Sequence, residues 1–158
     1  MDIEIRNEAK RYRISLPSLK RQTAAILKAL GWKKTALNIL LTTDSKIRGI
    51  NRKHLNHDWA TDVISFGSAE KRYLGDLVIS LDTTKRQAAE YGNSFDYELM
   101  FYICHGILHL MGYNDQTSRG FKIMDNLQKK ILRQIVIPEC INRESNLKSK
   151  CKNKMDSR

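Results

Sequence analysis

Apolar residues recur along the chain with two different periods, and the shorter period predicts four β-strands. Ile3 and Ile5 alternate with charged residues, which is the two-residue period of a strand with one buried face. Residues 36–42 are mostly aliphatic, as expected for an interior strand. Residues 61–66 and 75–80 alternate again, and the short polar stretch between them predicts an antiparallel hairpin.

The longer period, three to four residues, predicts five amphipathic helices. They cover residues 19–30, 45–54 and 83–91, a stretch from residue 97 to a stop at Gly112, and a last stretch from about 118 to 136. Polar residues of the type that caps helices precede three of them. These are Asp44 for the second helix, Ser94 or Asp96 for the fourth, and Thr117 or Ser118 for the fifth.

Together these elements predict an α+β fold, in which a mixed sheet of roughly four strands packs with about five helices. A chain of 158 residues is long enough for one domain with a core of ordinary size. After Pro138 the composition changes, and residues 145–158 are rich in Lys, Asn and Ser. We therefore expect one domain over residues 1–138 and a basic, disordered tail over residues 139–158.

Two histidines on the fourth predicted helix are candidate metal ligands. His105 and His109 are four residues apart, so both imidazoles lie on one helix face and can share an ion at about 2.0–2.1 Å. Gly112 favours a left-handed helix end, and Asp115 follows on a turn that can fold back. Three ligands with an open position are typical of a catalytic metal site. The alternative is an unliganded polar pair beside the core.

One position separates this pattern from that of the zinc metalloproteases. Their motif is H-E-x-x-H, in which the Glu acts as general base, whereas this chain has Gly106 at the corresponding position. A glycine cannot accept a proton. The pattern therefore disfavours peptide hydrolysis by that route, and the reaction needs a base from elsewhere.

The positive charge of the chain indicates a polyanionic partner. The formal net charge is +11 at pH 7, and small proteins this basic usually bind a polyanion, most often a nucleic acid. A basic surface that serves only solubility is the alternative.

Cysteine usage and hydropathy indicate a cytoplasmic protein. The three cysteines have no paired spacing, which argues against a disulfide scaffold. Cys104 is adjacent to His105, but neighbouring helical residues point about 100° apart, so we expect its thiol to pack rather than to bind metal. Residues 1–6 contain no apolar targeting segment, and no run is long enough to span a bilayer.

Three blocks of residues resemble, in order, the signatures of the YbeY family, bacterial endoribonucleases that mature ribosomal RNA. Residues 105–115, HGILHLMGYND, resemble the family's H-G-x-L-H-L-x-G-Y-D-H. Residues 50–51 (I-N), Asp58 and residues 61–66 (T-D-V-I-S-F) are similar to the family's L-N…D-x-P-T-D-V-L-S-F. Residues 75–80, GDLVIS, are similar to G-D-I-x-I-S. The blocks span residues 50–115 and leave the basic tail outside.

The resemblance implies that His105 and His109 are the first two metal ligands. The third family ligand is a histidine, and its position here is Asp115. A carboxylate oxygen binds zinc at about 2.0–2.2 Å, so Asp115 can replace the imidazole, although it makes the site harder and more negative. We expect one divalent ion, with Zn²⁺ favoured and manganese or iron as alternatives.

A second departure from the family lies before Asp58. The family has a Tyr-Arg pair there, and its Arg is implicated in ribonuclease activity, whereas the second position here is Leu55. Leucine cannot stabilise the charge of a phosphate. Arg52 is a candidate substitute, with Arg48 and Lys53 as alternatives on the same helix; without a substitute we expect weaker activity.

Four other polar residues have open roles. His57 is a candidate acid or base, or simply a loop residue. Asp62 and Asp76 lie in the two strand motifs, where capping turns and orienting the backbone is the favoured role. Glu98, seven residues before His105 on the same helix face, either supports the metal site or is exposed on the surface.

The function that the resemblance implies is metal-dependent cleavage of single-stranded RNA. The setting implied is maturation of the 16S rRNA 3′ end and ribosome quality control, with the small ribosomal subunit as partner and a monomeric protein in the cytoplasm. The catalytic set would be His105, His109 and Asp115 through the metal, with Arg52 and His57 as further candidates. The alternatives are a non-catalytic rRNA-binding assembly factor and a zincin-like metallohydrolase.

Overall fold

The computed structural model describes residues 1–135 and contains four strands and five helices within that range. The strands are β1 (Asp2–Asn7), β2 (Ala36–Thr42), β3 (Val63–Gly67) and β4 (Tyr73–Ser80). The helices are α1 (Leu16–Ala29), α2 (Asp44–Leu55), α3 (Leu81–Tyr91), α4 (Phe95–Leu110) and α5 (Ser118–Ile135). The predicted α+β class and the approximate numbers of elements are confirmed.

The strands form one mixed sheet in the order β1-β2-β4-β3. β1 and β4 both run parallel to β2, and β3 pairs with β4 in antiparallel register, with Val63 opposite Ile79 and Gly67 opposite Gly75. The predicted β3–β4 hairpin is therefore confirmed. The strand pairing needs a glycine at position 75 of β4, because its φ is 143° and a Cβ there would lie 2.2 Å from the carbonyl oxygen of Phe66.

The two faces of the sheet are covered unequally. Leu37, Ile39 and Leu41 alternate onto one face, where they join the main core with residues of α1, α4 and α5. On the other face a smaller cluster centred on Ile47 packs beneath α2. The strand alternation thus places most of the apolar burial on the side that carries α4.

Helix α4 lies at the centre of the molecule, packed against β3, β4, α1, α3 and α5. Its contact with the sheet depends on Gly106. A Cβ at that position would lie 2.7 Å from Leu77 Cδ2 and 3.3 Å from Val63 Cγ2. The glycine therefore lets the helix approach the sheet at the residue that follows His105.

The helix caps confirm one prediction and correct another. The Ser94 hydroxyl accepts a hydrogen bond from the Tyr97 N–H, which makes Ser94 the cap of α4. The prediction that Asp44 caps α2 is wrong, because Thr43 holds that position. Asp44 instead starts the helix, and its carboxylate accepts hydrogen bonds from the hydroxyls of Ser80 and Thr83, each at 2.6 Å.

Several element boundaries also differ from the predictions. β3 begins at Val63 rather than at residue 61, because Asp62 Oδ1 turns back to accept a hydrogen bond from the Val63 N–H at 2.8 Å. β4 begins two residues earlier than predicted, at Tyr73, and α3 begins at Leu81. Thr117 Oγ1 accepts from the Gly120 N–H at 3.0 Å, as a cap of α5 would.

Two further predictions concern the C-terminal tail and the absence of a membrane-spanning segment. The predicted tail over residues 139–158 lies outside the described residues. Within residues 1–135, none of the helices combines the length and apolar content that a membrane span requires.

Candidate metal centre

The two histidines of α4 point toward each other at the end of the helix. Their Nε2 atoms are 3.0 Å apart, as the i, i+4 spacing predicts. The helix ends at Leu110, and Gly112 then adopts a φ of 93°. The predicted left-handed stop is confirmed, and it turns the chain back toward the histidine pair.

Asp115 completes the cluster from the returning turn. Its Oδ2 lies 3.4 Å from Nε2 of His105 and 3.7 Å from Nε2 of His109. Ligands at 2.0–2.1 Å around a tetrahedral ion would be about 3.3 Å apart, so the three atoms fit a single ion. Among the described residues this is the one group of three such side chains that could hold a metal ion.

Hydrogen bonds at the opposite ring nitrogens orient both imidazoles. His105 Nδ1 lies 3.3 Å from Gln128 Oε1, and His109 Nδ1 lies 3.1 Å from the carbonyl oxygen of Tyr113. Both oxygens can only accept, so each Nδ1 carries the hydrogen in the neutral ring. The two Nε2 lone pairs are then free to bind a metal, the arrangement typical of histidine ligands with an oxygen partner.

Gln128 is a site residue that the sequence reasoning missed. It lies on α5, is 2% exposed, and donates from Nε2 to the Phe101 carbonyl at 3.0 Å. That bond fixes the amide so that its oxygen faces His105. A signal was present in the sequence, because this amide interrupts the apolar face formed by Met124 and Ile131, and a buried amide needs a partner.

Gly120 is a second missed residue, and it determines how closely the turn carrying Asp115 lies against α5. A Cβ at Gly120 would be 2.1 Å from the carbonyl oxygen of Asn114. Asn114 Oδ1 in turn accepts from the Gln116 N–H at 2.8 Å. The turn therefore occupies space that only a glycine at position 120 leaves open.

The cluster is closed on the core side and open on the other. The His105 side chain is 10% exposed, whereas that of His109 is 31% exposed. When the His105 ring is protonated, its Nε2–H donates to Asp115, and this hydrogen bond lowers the pKa of Asp115 to about 2, against the opposing effect of burial. Asp115 is therefore a carboxylate at neutral pH, with one negative charge available to a cation.

Two predicted catalytic candidates lie on α2 and the loop after it, outside the group of metal-ligating side chains. Arg52 Nη1 lies 3.9 Å from Asp58 Oδ1. His57 stacks on Trp59, with ring centroids 4.4 Å apart and the planes inclined by 12°. Leu55, at the position where the family resemblance implies an arginine, is the last residue of α2 and is 45% exposed.

Two α4 residues with open or predicted roles are buried. Burial raises the pKa of the Cys104 thiol to about 12, and the side chain packs in the main core, as predicted. The exposed alternative for Glu98 is wrong, because the residue is 2% exposed and its Oε2 accepts from Asn93 Nδ2 at 2.9 Å.

The two strand aspartates have structural contacts. Asp62 accepts from the Val63 N–H, and Asp76 Oδ1 accepts from Asn38 Nδ2 at 3.1 Å. Because Leu77 faces α4, its neighbour Asp76 faces the opposite side of the sheet, where it lines a groove of about 480 Å³ beneath α2. Asp76 is therefore directed away from the metal cluster.

Comparison with known proteins places this geometry in a family. The family model described as "Endoribonuclease YbeY" matches residues 4–136. The protein named Endoribonuclease YbeY of Geobacter metallireducens is 41% identical over 125 residues, which cover 75% of this chain and 83% of that one. Its counterpart in Bacillus cytotoxicus is 44% identical over 111 residues, which cover 62% of this chain and 71% of that one.

A solved structure supports the fold. The solution structure of TM1509 from Thermotoga maritima aligns with a TM-score of 0.57 over 84% of this chain and 90% of that one, at 24% sequence identity. The family model extends over nearly all of the described residues and includes all three residues of the cluster. The chain belongs to the YbeY family.

Proposed function

We propose that this protein is a metal-dependent endoribonuclease that cleaves single-stranded RNA during ribosomal RNA processing. The observation that supports it most is the convergence of three ligand atoms, 3.0–3.7 Å apart, in a chain of a family named for endoribonuclease activity. Maturation of the 16S rRNA 3′ end, with the small ribosomal subunit as partner, is the finer setting that the family resemblance implies. A monomer acting on rRNA in the cytoplasm is part of the same proposal.

The metal ligands in this proposal are His105, His109 and Asp115, and the ion is one divalent cation, with Zn²⁺ favoured. A bound ion would supply Lewis-acid activation of a phosphoryl oxygen or of a water molecule. The chain's own contribution is to hold both imidazoles with Nδ1 protonated, through Gln128 and the Tyr113 carbonyl. The exposed side of His109 leaves room for a substrate phosphate to approach.

The charge of the chain suits a polyanionic substrate. With a net charge of +11, the protein attracts the phosphate backbone, and binding should weaken as salt is added. Arg52 and His57 are kept as candidates for contacts to the reacting phosphate.

The packing of Gly106 argues against the metallohydrolase alternative. A side chain at this position would point at Leu77 and Val63 of the sheet, so it could not act as a base at the metal. Leu55 is the observation that favours the non-catalytic assembly factor, because the guanidinium implicated in the family's activity is missing at that position.

The test is cleavage of a labelled single-stranded RNA by the full-length protein, with and without chelator, followed by readdition of Zn²⁺ or Mn²⁺. We expect cleavage to stop on chelation and to return with metal. We expect the triple variant His105→Ala, His109→Ala, Asp115→Ala to lose both metal and cleavage, whereas His54→Ala, which removes an exposed histidine outside the cluster, keeps both. Full stoichiometric metal in the triple variant would disprove the ligand assignment. RNA that is bound but never cut would favour the assembly factor.

A further inference from the structure

The loop between α2 and β3, residues 56–62, displays an unusual aromatic surface. Trp59 is 57% exposed and is the most exposed large apolar side chain among residues 1–135. Single exposed apolar residues are ordinary, but this indole lies against the His57 imidazole with nearly parallel planes. The pair is therefore a flat stack directed to solvent.

Hydrogen bonds hold the loop in place against α2. Asn51 Nδ2 donates to the Trp59 carbonyl oxygen at 3.0 Å, and the Asn51 carbonyl oxygen accepts from the His57 N–H at 3.3 Å. Arg48 donates to both carboxylate oxygens of Asp58, at 3.0 and 3.2 Å. An aromatic stack that is already ordered loses little conformational entropy when a ligand stacks on it.

The surroundings of the stack are basic. Arg48, Arg52 and Lys53 lie on the adjacent part of α2. Asp58 pairs with Arg48 and lies 3.9 Å from Arg52, and with Asp62 it offsets two of these three positive charges. A flat aromatic surface beside unbalanced positive charge is the combination that binds single-stranded nucleic acid, in which bases stack while cations contact phosphates. An apolar protein surface would gain little from these cations.

The loop leads into β3, a strand that packs against the metal-bearing helix α4. Val63 begins β3 and lies 3.3 Å from the position of a Cβ on Gly106, the residue after His105. Trp59 is four residues before Val63, and four residues span at most about 14 Å of extended chain. A single strand of RNA can span the distance between Trp59 and Val63.

From these contacts we infer that the His57–Trp59 stack is a platform for one base of single-stranded RNA, and that Lys53 and Arg52 contact the flanking phosphates. The inference rests on the proposed function in so far as that function supplies the RNA. It adds a recognition site outside the metal cluster, carried by a tryptophan at a position that the family signature leaves unspecified.

The experiment measures binding rather than cleavage, so that the two proposals can fail separately. Full-length protein is titrated, in EDTA, against a fluorescein-labelled RNA of twelve adenylates and against an abasic ribose-phosphate chain of the same length. We expect Trp59→Ala to weaken binding of the adenylate strand on the order of 10- to 100-fold. Binding of the abasic strand and the dependence of affinity on salt should hardly change.

Matched variants separate stacking from other effects. Trp59→Phe keeps an aromatic face and should stay near the wild type, whereas Trp59→Leu keeps apolar bulk alone and should bind as weakly as Trp59→Ala. Lys53→Ala should weaken both strands and reduce the salt slope by about 0.7, as loss of one single-strand phosphate contact does. If Trp59→Ala is poorly folded, the affinities of Trp59→Phe and Trp59→Leu for the adenylate strand decide between stacking and apolar contact.

Three results would overturn the inference. The first is wild-type affinity of Trp59→Ala for the adenylate strand, and the second is an equal loss for the abasic strand. The third is wild-type affinity of Trp59→Leu, which would indicate apolar docking, as of a protein partner. The wild-type protein could fail to cleave RNA while Trp59→Ala still shows the expected loss of binding to the adenylate strand. That result would support the inference and count only against the enzymatic function.

Discussion

The metal cluster and the 56–62 loop are built in opposite ways. In the cluster, side chains from α4 and the following turn converge on one point, supported from behind by Gln128 of α5. In the loop, the backbone is tied to α2 while the rings of His57 and Trp59 face outward. The first arrangement suits a ligand the size of one ion, and the second suits part of an extended polymer. We therefore expect metal binding and base stacking to respond to different substitutions in this protein.

The largest effect is expected at Gly120, where the cluster depends on backbone packing. The Cβ of Gly120→Ala would lie 2.1 Å from the Asn114 carbonyl oxygen, so the turn carrying Asp115 must move. Misplacement of a site by about 1 Å can cost on the order of 10² in rate, and we expect a loss of that size in single-turnover cleavage.

Gly49→Ala is the matched control for this change. Gly49 also lies within a helix, and a Cβ there meets nothing within 4 Å. Alanine should raise stability by about 0.5–1 kcal/mol and leave cleavage unchanged. Wild-type cleavage rates in Gly120→Ala would show that the metal cluster tolerates movement of the turn that carries Asp115. The contrast drawn between the metal cluster and the 56–62 loop would then weaken.

A smaller effect is expected at Gln128, which orients His105. Gln128→Leu removes the acceptor for His105 Nδ1, and loss of such a partner typically lowers metal affinity about 10- to 100-fold. Competition with a chelating indicator dye measures the affinity. Gln134→Leu makes the same change at an exposed position of α5 and should have no effect. Equal affinities in the two variants would mean that the imidazole is oriented by packing alone.

The smallest effect is expected at Leu55, the last residue of α2, directly before the 56–62 loop. Leu55→Arg adds the guanidinium that the family resemblance implies at this position, and it should raise the single-turnover rate by stabilising phosphate charge. Removal of a preorganised electrostatic group costs on the order of 10²–10³ elsewhere. Since Leu55 is 45% exposed, solvent screening should limit the gain to about tenfold.

Leu55→Gln removes the apolar side chain without adding charge, and it should leave the rate unchanged. If Leu55→Arg gains nothing while Arg52→Ala or Arg48→Ala abolishes cleavage, the role is already filled from α2. If none of the three changes matters, charge from this helix has no part in the reaction.

What the sequence could predict depends on how local each determinant is. The spacing of His105 and His109 and the stop at Gly112 are properties of one helix, so the pattern alone predicts the pair. The partners of that pair come from elsewhere in the chain: Gln128 is 23 residues from His105. Asp44 shows the same limit. Its residue type predicts a helix cap, but its carboxylate accepts hydrogen bonds from Ser80 and Thr83 at the start of α3, and Thr43 caps α2 instead. The stack of His57 on Trp59 depends on loop hydrogen bonds that no periodicity encodes.

The close approach of α4 to the sheet has an evolutionary consequence. A single nucleotide change can convert a glycine codon to one for glutamate, the residue that zinc peptidases carry at this point of their motif. Here that change would force a side chain into Leu77 and Val63, at the cost of overpacking the core and with its carboxylate facing the sheet. The descendants of this chain therefore cannot acquire peptidase chemistry by that one step, because the new carboxylate would point at the sheet and not at the metal.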